Sequence, residues 1–197
     1  MSLPELIWLV DKWKPLTDAW SEAFSQHDSV AVECGDFFRD ADALVSPANS
    51  FGIMDGGLDL AIRSEIGGDI QRRVQAVVLE RHHGELPVGA AEVIETENER
   101  WPFLIVAPTM RVPEPVSNTL NAYLAFRAAL LAVRAFNQPE VRIRSMVVPG
   151  LGTGIGGMDA RRCAAQMRVA YDQAAGPGRI PSFQAIHQIH RKLRSAE

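Results

Sequence analysis

Short apolar runs of three to five residues recur along this chain between longer stretches of helical periodicity, and that alternation limits the fold more than any other feature. Examples are "LIWLV" at 6–10, "ALV" at 43–45 and "FLIVA" at 103–107. Each is too short to be a buried helix and carries no polar alternation, which is the mark of a strand covered on both faces. Strands are predicted at 6–10, 30–33, 43–45, 90–96, 103–107 and 144–148. Helices are predicted at 14–26, 58–66, 69–81, 117–136 and 159–174, with a short polar helix at the C-terminus. Ser117 is the expected cap of the helix that carries Leu120, Tyr123, Leu124 and Leu131 on one face. The face of the 159–174 helix comprises Ala160, Cys163, Ala164, Met167, Tyr171 and Ala174. The order implies an α/β domain with a largely buried sheet.

A length of 197 residues suits a single domain with small additions, and 47% apolar against 22% charged residues is an ordinary globular composition. The apolar runs fall far short of the ~20 residues that cross a bilayer. The short apolar run near Glu5 and Asp11 lacks the positive leading region of a secretory signal, so a cytoplasmic location is expected. Cys34 and Cys163 form no metal-binding spacing and are expected to be small buried thiols, with no metal site. A formal net charge of −4 argues against broad attraction to nucleic acid. Arg142, Arg144, Arg161 and Arg162 read more simply as solvated element ends.

Two glycine-rich turns, each between a strand and a helix, carry the chemistry. In "VVPGLGTGIGGMDA", 147–160, five of the nine residues from Pro149 to Gly157 are glycine. Glycine admits left-handed backbone and close approach of a ligand, and N–H groups exposed before a helix can cradle phosphate. A tight connection without ligand is the alternative, although two glycines would satisfy it. The spacing from Gly152 to Gly157 matches GxGxxG, but no strand ending in an acid follows, and no P-loop lysine is present. The earlier turn, in "SPANSFGIMDGGLDLAIRSEIG" at 46–67, repeats the design with Gly56-Gly57. Its Asp59 is either a first-turn carboxylate complementing the helix dipole or a general base beside a bound diphosphate. Asn49 is either a turn residue or an amide that contacts sugar hydroxyls. Asp36, in "CGDFF", is either an Asx-turn or an acceptor for an amino group. The proline-rich stretch 108–118 is either a stiff connector or the edge of an entrance.

Together these segments resemble a macrodomain, the ADP-ribose-binding α/β/α module. "GDFF" at 35–38 resembles the family's Gly-Asp-Ile-Thr turn and "VSPANS" at 45–50 its Val-Asn-Ala-Ala-Asn segment. "GGLDLAI" at 56–62 resembles its Gly-Gly-Val-Asp-Gly-Ala-Ile loop and "GLGTGIGG" at 150–157 its phosphate loop. Order and spacing agree over roughly 30–174, leaving 1–29 as an N-terminal strand and helix and 176–197 as a C-terminal extension. The resemblance implies a three-layer α/β/α fold with a central mixed, largely parallel sheet. It implies that Asp36 contacts the adenine amino group and Phe37 the neighbouring backbone site. Gly56, Gly57 and the loop Gly150, Leu151, Gly152, Thr153, Gly154, Ile155 and Gly156 would hold the diphosphate, and Asn49 and Asp59 would contact and activate the distal ribose.

The activity so implied is metal- and cofactor-independent hydrolysis of ADP-ribosyl esters, as in MacroD-type members: de-ADP-ribosylation of protein or deacetylation of O-acetyl-ADP-ribose. The alternative is a non-catalytic ADP-ribose reader. The partners expected are ADP-ribose or ADP-ribosylated protein, no membrane, and nucleic acid only as an ADP-ribosylated substrate. This sequence departs from the family in several places. Met54-Asp55 replace two glycines, predicting a bulkier and more acidic entrance. Gly152 replaces a serine, and Gly156 an aromatic residue. The last strand and the adenine-stacking aromatic are not found after Ala174, which leaves Phe183 as either a stacking or a packing residue.

Overall fold

The computed structural model describes residues 3–195. Six strands and six helices follow one another as β1 (Leu6–Asp11), α1 (Lys14–Ala23), β2 (Val30–Cys34), β3 (Ala43–Ser46), α2 (Gly57–Ile66), α3 (Ile70–His82), β4 (Glu92–Glu95), β5 (Phe103–Val106), α4 (Asn121–Phe136), β6 (Ser145–Val148), α5 (Ala160–Ala175) and α6 (Phe183–Ser195). The strands form one sheet in the order β2-β1-β6-β3-β5-β4. Every pairing is parallel except that of β4 with β5, so the sheet is mixed and largely parallel, as expected.

Both faces of the sheet are buried, which is why the strands read as continuous apolar runs. Along β5, Phe103 and Ile105 join one core with Ile7, Leu9, Val148 and residues of α1, α4 and α5, such as Trp20, Phe126 and Met167. The intervening Leu104 and Val106 join the other core, with Val10, Leu44, Val147, Ile62 of α2 and Val74 of α3. The period of two along each strand thus builds the three layers.

Some boundaries differ from expectation. The expected cap Ser117 lies outside α4, which begins at Asn121 with no side-chain cap at Leu120. The turn before it is organised instead by Thr119 Oγ1, which donates to the Val116 carbonyl at 2.7 Å and accepts from Asn121 N at 3.2 Å. At α5 the expectation of a start at 159 moves by one residue. Asp159 is the cap, accepting from the N–H groups of Arg161 and Arg162 at 2.9 and 3.2 Å. Asp159→Ala is expected to cost about 1 kcal/mol, read as a lower midpoint in urea with an unchanged slope.

No strand follows α5 among the described residues. The sheet position between β2 and β6 is filled by β1, from the start of the chain. The segment after α5 is instead α6, which packs on α5 through buried Leu193 and a 3.3 Å hydrogen bond from Gln166 Nε2 to the Leu193 carbonyl. Of the two thiols, Cys163 is buried, and burial pushes it up to about 12; Cys34 is exposed at the end of β2, contrary to expectation.

Candidate functional site

The carboxyl ends of β1, β3, β5 and β6 open into one cleft of about 470 Å³, within the range of ligand sites and at the edge where open α/β sheets bind them. Four segments make its walls. Asp11 and Trp13 come from the end of β1, and Pro47, Ala48 and Asn49 follow β3. Ile53 and residues 55–59 lead into α2. Thr109, Met110 and Pro113 follow β5, and residues 149–156 other than Leu151 follow β6. The 108–118 stretch is therefore a wall of the cleft.

The loop after β6 is held open by contacts at its ends. Gly150 N donates to Asp11 Oδ2 at 3.2 Å, Met158 N to the Gly152 carbonyl at 2.9 Å, and Val116 N to the Gly156 carbonyl at 2.8 Å. Gly152 adopts φ +73°, which a side chain would resist. Between these ties, the N–H groups of Gly152, Thr153, Gly154, Ile155 and Gly156 make no hydrogen bond among the described residues. Across the cleft, α2 presents its N-terminus, with Gly56 extended and Gly57 at φ +56°. Two segments with unbonded main-chain N–H groups thus line one space, and one carries the positive end of a helix dipole. Among the described residues no lysine, arginine or histidine lines it; its charged groups are Asp11, Asp55 and Asp59. An anion bound here is held by backbone.

Asp59 sits in the first turn of α2. Burial pushes its carboxyl up to about 6, against the opposing effect of a 2.6 Å hydrogen bond donated by Ser46 Oγ. Asn49 also faces the cleft, but its amide organises its own loop: Nδ2 donates to the Ile53 carbonyl at 2.7 Å, while Oδ1 accepts from Phe51 N at 3.0 Å and Ile53 N at 3.3 Å.

The remaining candidates divide. Gly56, Gly57, Gly150, Gly152, Thr153, Gly154, Ile155 and Gly156 are all brought to the cleft. Leu151 is not; its side chain is buried in the core. Asp36 and Phe37 do not line the cleft either. Phe37 is buried in the second core, and Asp36 accepts from Phe38 N at 3.0 Å and stands 3.9 Å from Lys12. Phe183 is exposed on α6, with its ring against His187 and away from the cleft lining. Met54 does not crowd the entrance: it is buried among Val74, Leu86 and their neighbours, so only Asp55 changes the mouth. Asp11 and Trp13 escaped sequence reasoning, because they join the cleft only through the pairing of β1 beside β6. Among the described residues no group of three or more His, Cys, Asp or Glu is arranged to hold a metal, and no helix is long and apolar enough to cross a membrane.

Comparison with known proteins agrees with this fold. The family model described as "Macro domain" matches residues 45–167. An uncharacterized protein of Aquifex aeolicus is 35% identical over 128 residues, 65% of this chain and 71% of that protein. Another, of Aeropyrum pernix, is 33% identical over 144 residues, 72% of this chain and 69% of that protein. Among solved structures, the macrodomain of Mycobacterium tuberculosis DarG aligns with a TM-score of 0.59 at 24% identity, covering 72% of this chain and 88% of that one. An Oceanobacillus iheyensis macrodomain with ADP aligns at 0.60 and 20% identity, covering 82% and 87%. Thermosipho africanus DarTG in complex with ADP-ribose aligns at 0.58 and 18% identity, covering 83% and 52%.

Proposed function

The chain belongs to the macrodomain family, and from that premise we propose that its cleft binds ADP-ribose and hydrolyses ADP-ribosyl esters. The observation that carries the binding half is the run of N–H groups from Gly152 to Gly156, unbonded among the described residues, in a loop that lines the same cleft as the N-terminus of α2. A diphosphate satisfies both sets without a cationic side chain. Trp13, 41% exposed on the cleft wall, offers an aromatic face for the base, a role that neither Phe37 nor Phe183 is in position to fill. Asp36, beside Lys12, is proposed as the acceptor for the adenine amino group.

In the hydrolytic half, Asp59 orients a water at the distal ribose. The water oxygen bonds to the anomeric carbon as the bond to the leaving carboxylate breaks, and the proton lost by the water passes to Asp59. Asn49 contributes less than the family resemblance implies, because its oxygen and one N–H are already engaged within the 49–53 loop. That engagement favours the second reading, a module that binds ADP-ribose or ADP-ribosylated protein without turnover.

Calorimetry with ADP-ribose, AMP and NAD tests binding, and release of ADP-ribose from an automodified protein tests turnover. Trp13→Ala is expected to weaken ADP-ribose by on the order of tenfold, a typical loss for one stacked base. No heat with millimolar ADP-ribose would defeat the binding assignment. Measurable binding with no release over hours would leave the reader.

A further inference from the structure

We propose that Ser46 is a positioning residue for Asp59: its hydroxyl fixes the carboxylate by one oxygen and leaves the other turned to the cleft. The proposal rests on the reading of Asp59 as the group that orients water.

Ser46 is the last residue of β3 and is 1% exposed, in a sheet interior where a hydroxyl without a partner is costly. Its backbone is locked, pairing with Val106 and accepting from Ala107 N at 3.1 Å. Among the described residues its side chain has one hydrogen-bond partner, Asp59 Oδ1, at 2.6 Å, the short distance of a hydroxyl donating to a charged acceptor. Asp59 makes no other side-chain hydrogen bond or ion pair among the described residues. It sits in the first turn of α2, two residues after Gly57, which adopts φ +56°. Among the described residues the hydrogen bond that grips the carboxylate therefore comes from the strand, through Ser46.

Other charges do not take this role. β3 carries none. Asp11 and Asp55 share the cleft wall with Asp59, and would repel its ionised form rather than orient it. Arg63, one turn further along α2, is directed to Gln71 of α3 at 3.1 Å. Where the family segment has asparagine this chain has serine, so the grip belongs to this sequence.

A merely structural Ser46, pinning α2 to β3, would change melting temperature and the Asp59 midpoint and leave kcat at pH 8, where Asp59 is ionised, unchanged. A positioning Ser46 also lowers kcat there, because the ionised carboxylate loses its orientation. The experiment follows the Asp59 carboxyl carbon by NMR from pH 4 to 8, and the pH profile of ADP-ribose release from an automodified protein. In Ser46→Ala the Asp59 midpoint is expected to rise, since a group favouring the charged form is gone. The acid limb of the release profile should rise with it, and kcat near pH 6.5 should fall about tenfold. Ser46→Thr, which keeps the hydroxyl, should restore both. If the alanine variant does not fold, Ser46→Cys, close in size and a poor donor, gives the same reading. An unchanged Asp59 midpoint in Ser46→Ala or Ser46→Cys overturns the proposal, whether or not the protein hydrolyses anything. If wild type releases nothing, the hydrolytic reading fails and the positioning role with it, while the NMR titration still decides whether the Ser46 hydroxyl grips the carboxylate.

Discussion

Asp59→Asn is expected to raise the melting temperature at pH 7 while removing turnover. The Asp59 carboxyl is pushed by burial from its ordinary value of 3.8 to about 6. The folded chain therefore holds this proton more tightly than the unfolded chain, and the associated stability is fully present below pH 3.8. It is lost as pH rises towards 6, and above that the ionised group costs on the order of 3 kcal/mol. An asparagine keeps the shape and the acceptor for Ser46 without the charge. The variant should regain about 2 kcal/mol at pH 7, a rise of several degrees for a chain of this size, and little or nothing at pH 4. Release of ADP-ribose should fall by roughly 10²–10⁴-fold, the usual worth of a general base. Calorimetric affinity for ADP-ribose should hold or tighten, because a like charge has left the diphosphate site. Scanning calorimetry at both pH values, beside the release assay, checks each part. A variant less stable at pH 7, or one that retains turnover, would show that Asp59 is an ordinary first-turn carboxylate.

That pairing of cost and chemistry explains which parts of the site could be read from residues alone. Runs such as "FLIV" at Phe103–Val106 announced strands, because burial on both faces leaves no other use for four consecutive apolar residues. The glycine loop at 150–157 announced a ligand, because its composition exceeds what a bare turn needs. Legibility failed wherever the answer depended on which distant segments become neighbours. Trp13 and Asp11 look like the ordinary end of a strand until β1 is found inserted between β2 and β6. Met54 looks like a lid residue until its side chain is found in the core beside Val74 and its N–H on Gln71 Oε1 at 2.8 Å. Asn49 carried both of its readings into the folded state, facing the cleft while its amide serves the loop. Ser117 failed as a cap for a local reason. The preceding turn is tied to the glycine loop through Val116 and Gly156, which delays the helix to Asn121.

The same tie makes Gly156 a sensitive position of the loop, and Gly156→Ala is expected to weaken binding strongly where Gly154→Ala does not. A Cβ at Gly156 would stand 2.5 Å from the Gly152 carbonyl oxygen and 2.5 Å from Val116 Cγ2. Neither neighbour can give way cheaply. The carbonyl accepts from Met158 N, and Val116 is 2% exposed and hydrogen-bonded through its own N–H to Gly156. Relief must come from moving the loop, which disperses the row of N–H donors from Gly152 to Gly156. A Cβ at Gly154 meets nothing within 4 Å. The Gly156 variant should therefore lose at least about 100-fold in ADP-ribose affinity and about 2 kcal/mol of stability, as overpacked sites do. The Gly154 variant should stay within about threefold of wild type in affinity, with stability shifted by ~0.5 kcal/mol or less. It follows that an aromatic residue at Gly156, common in the family, cannot be grafted here as a cover for the distal ribose. The loop has closed over that space with its own backbone, and Ile155, 67% exposed at the rim, is the side chain left to lie over a ligand. Titration calorimetry on the two alanine variants decides the matter. Equal losses at both positions would mean that the loop tolerates no side chain for reasons other than this contact, and a Gly156 variant that binds like wild type would mean that the N–H row is not what holds the diphosphate.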